Sequence, residues 1–144
     1  MKILAIDTSG PVCGVAVLTE AGIQAELMAK NKLTHSVNLL PMVNEALEMA
    51  GTSLEAMDRL AVVTGPGSFT GVRLGVSTVK GLAHGAQKPC VAIDALEATA
   101  LNAGSFSGVV CPIQDARAGQ VYGAAFSMNG ALPHRLMDDV PLKL

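Results

Sequence analysis

Two segments of the sequence contain the residue types that bind phosphate, or a metal ion bound to phosphate. Asp7, Thr8 and Ser9 supply a carboxylate, two hydroxyls and backbone N–H groups within a predicted turn between two β-rich runs. Residues 65–73, GPGSFTGVR, join a predicted strand to a predicted helix, where backbone N–H groups and the helix dipole attract anions. Because Asp and Ser also form turns that bind nothing, the first segment needs support from a second site.

The GPGSFTGVR segment does not match the two common nucleotide-binding motifs. No Gly-Lys-Ser or Gly-Lys-Thr follows at the Walker spacing, and the dinucleotide pattern is missed by one residue. A third segment begins at Asp115 in a second predicted hairpin turn, and Arg117 stands where a small residue would admit a phosphate. Arg117 is either a solvated turn residue or a contact to a partner or to RNA. The candidate phosphate-loop residues are Asp7, Thr8, Ser9, Gly65, Gly67, Ser68 and Asp115.

Neither the histidines nor the cysteines have the spacing of a metal site. His35 is followed at i+4 by Leu39, so two ligands cannot share that helix face, and a lone His is typical of a helix cap or a solvated position. Cys13, Cys90 and Cys111 are odd in number, far apart and outside any C-x-x-C arrangement, which argues against a disulfide framework and a thiolate zinc site. We therefore expect no metal, no cofactor and a reducing, cytoplasmic environment.

Composition limits the classes of function. Half of the 144 residues are hydrophobic and 15% are charged, which predicts a folded core. Ten Lys and Arg residues and a net charge of −2 do not supply the dense basic surface on which nucleic-acid binding depends. The N-terminal apolar run is too short for a signal peptide, and no run approaches the roughly 20 apolar residues of a membrane span. We expect a protein that makes no membrane contact.

The order of predicted elements is βββαβαβα, followed by a second group of strands. Residues 1–104 form one predicted lobe, and residues 105–144 form an incomplete second lobe that repeats the opening strand meander without helices to cover it. The predicted strands of the first lobe are 2–7, 12–18, 22–29, 60–64 and 90–93, its helices are 36–50, 70–85 and 95–103, and the strands of the second are 109–114, 120–127 and about 132–137.

The first two long helices carry more apolar surface, and more glycine, than one buried face needs. Met42 and Met49 widen the apolar arc of the first helix. In the second, Gly71 and Gly75 each cost roughly 1 kcal/mol relative to Ala, which predicts close approach to the protein's own sheet or to another helix. The residues that we predict to contact a partner are Leu39, Met42, Val43, Ala46, Met49, Val72, Gly75, Val76 and Val79.

Three segments together resemble the TsaB (YeaZ) family: residues 3–9, ILAIDTS; residues 65–73, GPGSFTGVR; and residues 115–122, DARAGQVY. The resemblance implies an α/β fold of the actin-like, ribonuclease H-like class, with a complete first lobe and a shortened second one. It also implies a non-catalytic scaffold and dimerisation subunit. Its partner would be TsaD, which transfers a threonylcarbamoyl group to the adenosine beside the tRNA anticodon.

Further expectations follow from that resemblance. A TsaE-like P-loop ATPase would be another partner, tRNA would be reached only through the complex, and a homodimer stays open. The phosphate-loop residues would be vestigial, because TsaD carries H-x-x-x-H where the first helix begins and this sequence has Leu39 in place of the second His. The main rival is an ATP-dependent phosphotransferase or ATPase that uses Asp7 and Asp115. A glycoprotease-like peptidase ranks last, since no metal pair or Ser/His/Asp arrangement supports it.

Overall fold

A computed structural model of the chain describes residues 1–31, 34–130 and 132–143. The predicted βββαβαβα order of the first lobe is confirmed, with boundaries within about two residues of those expected. A 3₁₀ turn at Leu54–Ala56 precedes the fourth strand. The strands are β1 (Ile3–Asp7), β2 (Cys13–Thr19), β3 (Gly22–Ala29), β4 (Arg59–Val63), β5 (Cys90–Ile93), β6 (Gly108–Val110), β7 (Ile113–Arg117), β8 (Gln120–Met128) and β9 (His134–Lys143), and the helices are α1 (His35–Met49), α2 (Phe69–Ala86) and α3 (Ala95–Leu101).

The first sheet has the strand order β3-β2-β1-β4-β5. The β1–β2 and β2–β3 pairs are antiparallel, whereas β1–β4 and β4–β5 are parallel. Parallel neighbours need a crossover connection, and α1 and α2 supply the two crossovers. This order places the loop after β1 beside the loop after β4, which brings the first two candidate phosphate segments to the same edge of the sheet.

The main core lies between the first sheet and the two crossover helices. Alternate residues of β1 and β2, among them Leu4, Ile6 and Val15, are buried against α1 and α2. This core includes most of the residues predicted to contact a partner, so their burial within the chain corrects that prediction. Leu39, Met42, Val43, Ala46, Gly75 and Val79 are buried, Val72 and Val76 are half-buried, and Met49 is exposed.

The second sheet places β8 between β9 on one side and the β6 and β7 strands on the other. The predicted strand 109–114 is divided, because Pro112 cannot donate to the sheet ladder and neither Cys111 nor Pro112 belongs to a strand. The expectation that no helix covers this sheet is wrong. Leu96 and Ala100 of α3 form a second core with Ala124, Phe126 and Met128 of β8.

Arg135 of β9 connects the second sheet to the start of α3. Its guanidinium lies 3.1 Å from the Asp94 carboxylate and 2.5 Å from the Asp139 carboxylate. Asp94 also caps α3, since its Oδ1 accepts a hydrogen bond from the Glu97 backbone N–H at 2.7 Å. In the described part of the chain, no helix is long and apolar enough to cross a membrane.

Candidate functional site

A cleft of roughly 660 Å³ lies where the loop after β1, the N-terminus of α2 and the β7–β8 turn come together. Two of these segments follow strands of the first sheet, and the third joins two strands of the second sheet. Hydroxyl groups, backbone and three aromatic rings form most of the walls, and Arg117 supplies a cation. The lining residues are Ser9, Gly10, Pro11, His35, Gly67, Ser68, Phe69, Thr70, Gln114, Asp115, Ala116, Arg117 and Tyr122.

The cleft gathers some of the candidate phosphate-loop residues and leaves others outside. Ser9, Gly67, Ser68 and Asp115 line it, whereas Thr8 and Gly65 are buried and are not among its lining residues. Asp7 lines a separate, mainly apolar pocket of roughly 350 Å³ on the first sheet. The proposed pairing of Asp7 with Asp115 in one ligand site is therefore not a feature of this cleft.

Within residues 7–11, the polar groups bind one another. The Asp7 carboxylate accepts hydrogen bonds from the Ser9 backbone N–H at 2.8 Å and from the Ser9 hydroxyl at 2.7 Å. The Ser68 backbone N–H donates to the Ser9 carbonyl oxygen at 2.7 Å. The Ser68 hydroxyl caps α2 by accepting from the Gly71 N–H at 3.3 Å. A phosphate bound here would have to displace contacts that already satisfy these donors.

Thr8 packs directly on α2. Its buried hydroxyl donates to the Gly71 carbonyl oxygen at 2.7 Å. A Cβ atom at Gly67 would lie 2.5 Å from the Ser9 carbonyl oxygen, one at Gly75 would lie 2.5 Å from the Thr8 hydroxyl, and one at Gly71 would overlap the Thr8 carbonyl oxygen. The glycine spacing therefore does reflect close approach, but to the loop after β1.

The turn between β7 and β8 is held by Asp115, whose Oδ1 accepts from the Arg117 backbone N–H at 2.7 Å. Arg117, Ala118 and Gly119 all have positive φ angles, of 66°, 52° and 70°. This turn directs Asp115 and Arg117 into the cleft lining. A partner or RNA contact by Arg117 stays a prediction.

Two features of the cleft edge escaped the sequence analysis. The His35 ring nitrogen Nε2 lies 2.9 Å from the Gly10 carbonyl oxygen, a contact that no local pattern indicates. The Phe69 ring is 70% exposed, and the Arg73 guanidinium lies 3.6 Å from its centroid; their i,i+4 spacing is a signal that would have found this pair. Within the described ranges, no three His, Cys, Asp or Glu side chains cluster as metal ligands would.

The fold has close counterparts among known proteins. A solved structure described as YeaZ from Pseudomonas aeruginosa superposes with a TM-score of 0.87 at 33% identity, covering 99% of this chain and 67% of that one. The chain belongs to the TsaB/YeaZ family. The TsaB protein of Bacillus subtilis is 39% identical over 96% of this chain, and that of Escherichia coli is 41% identical over 90%. Both are described as tRNA threonylcarbamoyladenosine biosynthesis proteins.

A family profile also matches most of this chain. The profile that matches residues 17–139 is described as TsaD, tRNA N6-adenosine threonylcarbamoyltransferase. This chain spans 61% of the length of the Bacillus subtilis relative and 56% of the Escherichia coli one. A ROK hexokinase from Thermus thermophilus superposes with a TM-score of 0.57 at 15% identity, which shows that the predicted actin-like fold is correct and says nothing of activity.

Proposed function

We propose that the chain acts in tRNA threonylcarbamoyladenosine biosynthesis as a non-catalytic subunit that docks a TsaD-like catalytic subunit. The names of its relatives support the pathway. The observation that carries the docking role is the outer surface of α2, where exposed residues recur at every fourth position and end in two glycines. These residues are Phe69, Arg73, Ser77, Gly81 and Gly85.

The two outer glycines have no structural explanation within the chain. A Cβ atom added at Gly81 or Gly85 would meet no atom within 4 Å, in contrast to the crowded positions at Gly71 and Gly75. Each helical glycine costs roughly 1 kcal/mol relative to Ala, so close approach of a second protein is the compensation that we infer. We call the five outer residues of α2 and the exposed Val37 and Leu40 of α1 the docking face.

Two observations support a role without catalysis. Several hydrogen-bonding groups of residues 7–11 and of the start of α2 already bind one another, among them the Ser9 hydroxyl with Asp7 and the Gly71 N–H with Ser68. At the start of α1, the position four residues after His35 is the buried Leu39. In this proposal the TsaD-like subunit performs the transfer, a TsaE-like ATPase joins the assembly, and tRNA is bound only by the whole complex.

Substitutions at Gly81 test the docking face. Gly81→Leu places a large side chain on the open side of α2, and we expect it to weaken association with the cognate TsaD-like subunit by at least about tenfold, or 1.4 kcal/mol. Gly81→Ala is the graded comparison: it adds one methyl group at the inferred close contact and should weaken association too, but by less than Gly81→Leu does. Because both residues favour helix more than Gly does, by up to about 1 kcal/mol, neither variant should melt below the wild type. The measurements are sedimentation velocity of the mixed subunits and thermal melting followed by circular dichroism.

Two results would contradict this proposal. Failure of the wild-type chain to associate with the TsaD-like subunit would remove the scaffold role altogether. Wild-type affinity in a folded Gly81→Leu variant would exclude the outer surface of α2. Self-association lost in Gly81→Leu would show that a second copy of the chain can use the same face.

A further inference from the structure

The loop after β1 buries two polar side chains. Among the residues that the structure describes, Thr8 and Ser9 are the only buried polar ones, with exposures of 0% and 3%. Burying a hydroxyl costs free energy unless it is hydrogen-bonded. A loop at the edge of a cleft is ordinarily solvated. The burial of Thr8 and Ser9 therefore implies that this loop has a role in packing.

Each of the two docking helices begins at a hydrogen bond to this loop. The His35 ring at the first residue of α1 contacts the Gly10 carbonyl oxygen at 2.9 Å. On the α2 side, the Ser68 N–H donates to the Ser9 carbonyl oxygen at 2.7 Å, and the Thr8 hydroxyl donates to the Gly71 carbonyl oxygen at 2.7 Å. The loop is thus bound on one side to α1 and on the other to α2.

The loop approaches α2 unusually closely. Gly67, Gly71 and Gly75 are spaced four residues apart and all lack the Cβ atom that would collide with Thr8 or Ser9. Direct contact between α1 and α2 is slight, because each helix packs mainly on its own strands. A shared loop that is buried and hydrogen-bonded to both helix starts is better suited to fix their relative position.

We propose that residues 7–11 act as a brace that sets the position of α1 relative to α2, with Thr8 as the positioning residue on α2 and His35 on α1. This inference rests on the proposed function for its consequence, since the two helices carry the docking face. It gives the segment that resembles a phosphate-binding loop a structural role that requires no bound nucleotide. The brace holds the two halves of the docking face in one arrangement before the partner arrives.

The first test measures the helix positions without any partner. Spin labels are placed at exposed Asn44 on α1 and Lys80 on α2, with Cys90 and Cys111 replaced by serine, and their separation is measured by double electron–electron resonance. Thr8→Val keeps the side-chain shape but removes the hydrogen-bond donor, so the distance distribution should broaden or shift. Thr8→Ser keeps the hydroxyl and should restore the wild-type distribution.

Two further variants complete this test: one removes the loop's contact to α1, and the other controls for loss of stability. His35→Leu removes the hydrogen bond between α1 and the loop and should broaden the same distance distribution. This variant still tests the brace if Thr8→Val does not fold. Leu96→Ala removes a buried side chain from the second core, which contains no residue of the loop. It should lower the melting temperature by a comparable amount and leave the distribution narrow, because loss of stability alone does not move the two helices.

The second test measures association with the TsaD-like subunit. Thr8→Val should weaken it by about tenfold or more, the effect expected from losing pre-organisation and one buried hydrogen bond, while Leu96→Ala and Thr8→Ser stay within about threefold. Wild-type distance distributions in both Thr8→Val and His35→Leu would overturn the brace. Altered distributions with unchanged association would uphold the brace and count against the docking face, which separates the two proposals.

Discussion

Arg135 shows how one residue joins the second sheet to the rest of the chain. Its guanidinium lies between the Asp94 and Asp139 carboxylates and over the Phe126 ring, 4.7 Å from the centroid. Burial raises the pKa of Asp94, but the Glu97 N–H and the Arg135 charge outweigh it and the net shift is downward. Burial and the neighbouring Asp94 raise the pKa of Asp139 despite Arg135. The pKa values of the two carboxylates are therefore shifted in opposite directions.

Removing this cation should weaken the second sheet. Arg135→Met keeps much of the packing on Phe126 but leaves Asp94 and Asp139 facing each other without a counter-charge. Because these groups are partly exposed, we expect a loss of about 1–2 kcal/mol in the free energy of unfolding near neutral pH. Urea denaturation followed by circular dichroism measures it. An unchanged midpoint would show that the cluster contributes nothing to stability.

The pH dependence of the same variants follows from the pKa of Asp94. A lowered folded-state pKa means that its stabilisation is complete above the unfolded value of about 3.9 and is lost as the pH falls through the lower folded value. Asp94→Asn should therefore reduce the loss of stability in acid. Asp139, with its raised pKa, works in the opposite sense, so Asp139→Asn should not reduce that loss. Denaturation midpoints measured below about pH 5 compare the two.

Secondary-structure elements were the most predictable level of this fold. Hydrophobic periodicity located α1 and α2, and residue types located the strands, because these signals are local. The spacing of Gly71 and Gly75 likewise predicted a close approach. Its partner, Thr8, lies 63 residues from Gly71 along the chain, and no local pattern specifies a contact at that separation. The packing of α3 on the second sheet was missed for the same reason.

The two kinds of glycine in α2 should respond oppositely to alanine. Gly85→Ala adds a methyl group in open space and should stabilise the chain by about 0.5–1 kcal/mol. Gly71→Ala forces a methyl group against the Thr8 backbone, and we expect a loss of about 2 kcal/mol or more. Thermal melting of the two single variants is the measurement. Equal effects of the same sign would mean that the loop does not pack on α2 as described.

The candidate site was only partly predictable. Residue types identified Ser9, Gly67, Ser68 and Asp115, which line the cleft. The network that occupies these groups depends on distances between segments that are remote in sequence. The same limit affected the predicted partner residues, since an apolar stripe such as Leu39 and Val43 has the same pattern whether a sheet or another protein covers it. The tertiary structure decides between these two alternatives.

The whole molecule contains two cores of unequal size. In the described residues, the core of the first sheet has sixteen buried residues and that of the second has five. Ile113 and Leu142 lie on either side of Gly123, on the face of the second sheet away from α3, and are 63% and 43% exposed. A small core under an exposed apolar face predicts low local stability and a tendency to associate.

Hydrogen exchange tests this difference between the two halves. In dilute solution, amides of β6–β9 should exchange at least about tenfold faster than those of β1 and β4, because less apolar area is buried beneath them. At high concentration, contacts between copies through the exposed face should slow that exchange. Ile113→Lys should abolish the slowing, whereas Ile23→Lys, at a comparably exposed position on the first sheet, should not. Equal protection of both sheets in a chain that sedimentation shows to be monomeric would mean that α3 and Arg135 suffice to stabilise the second sheet.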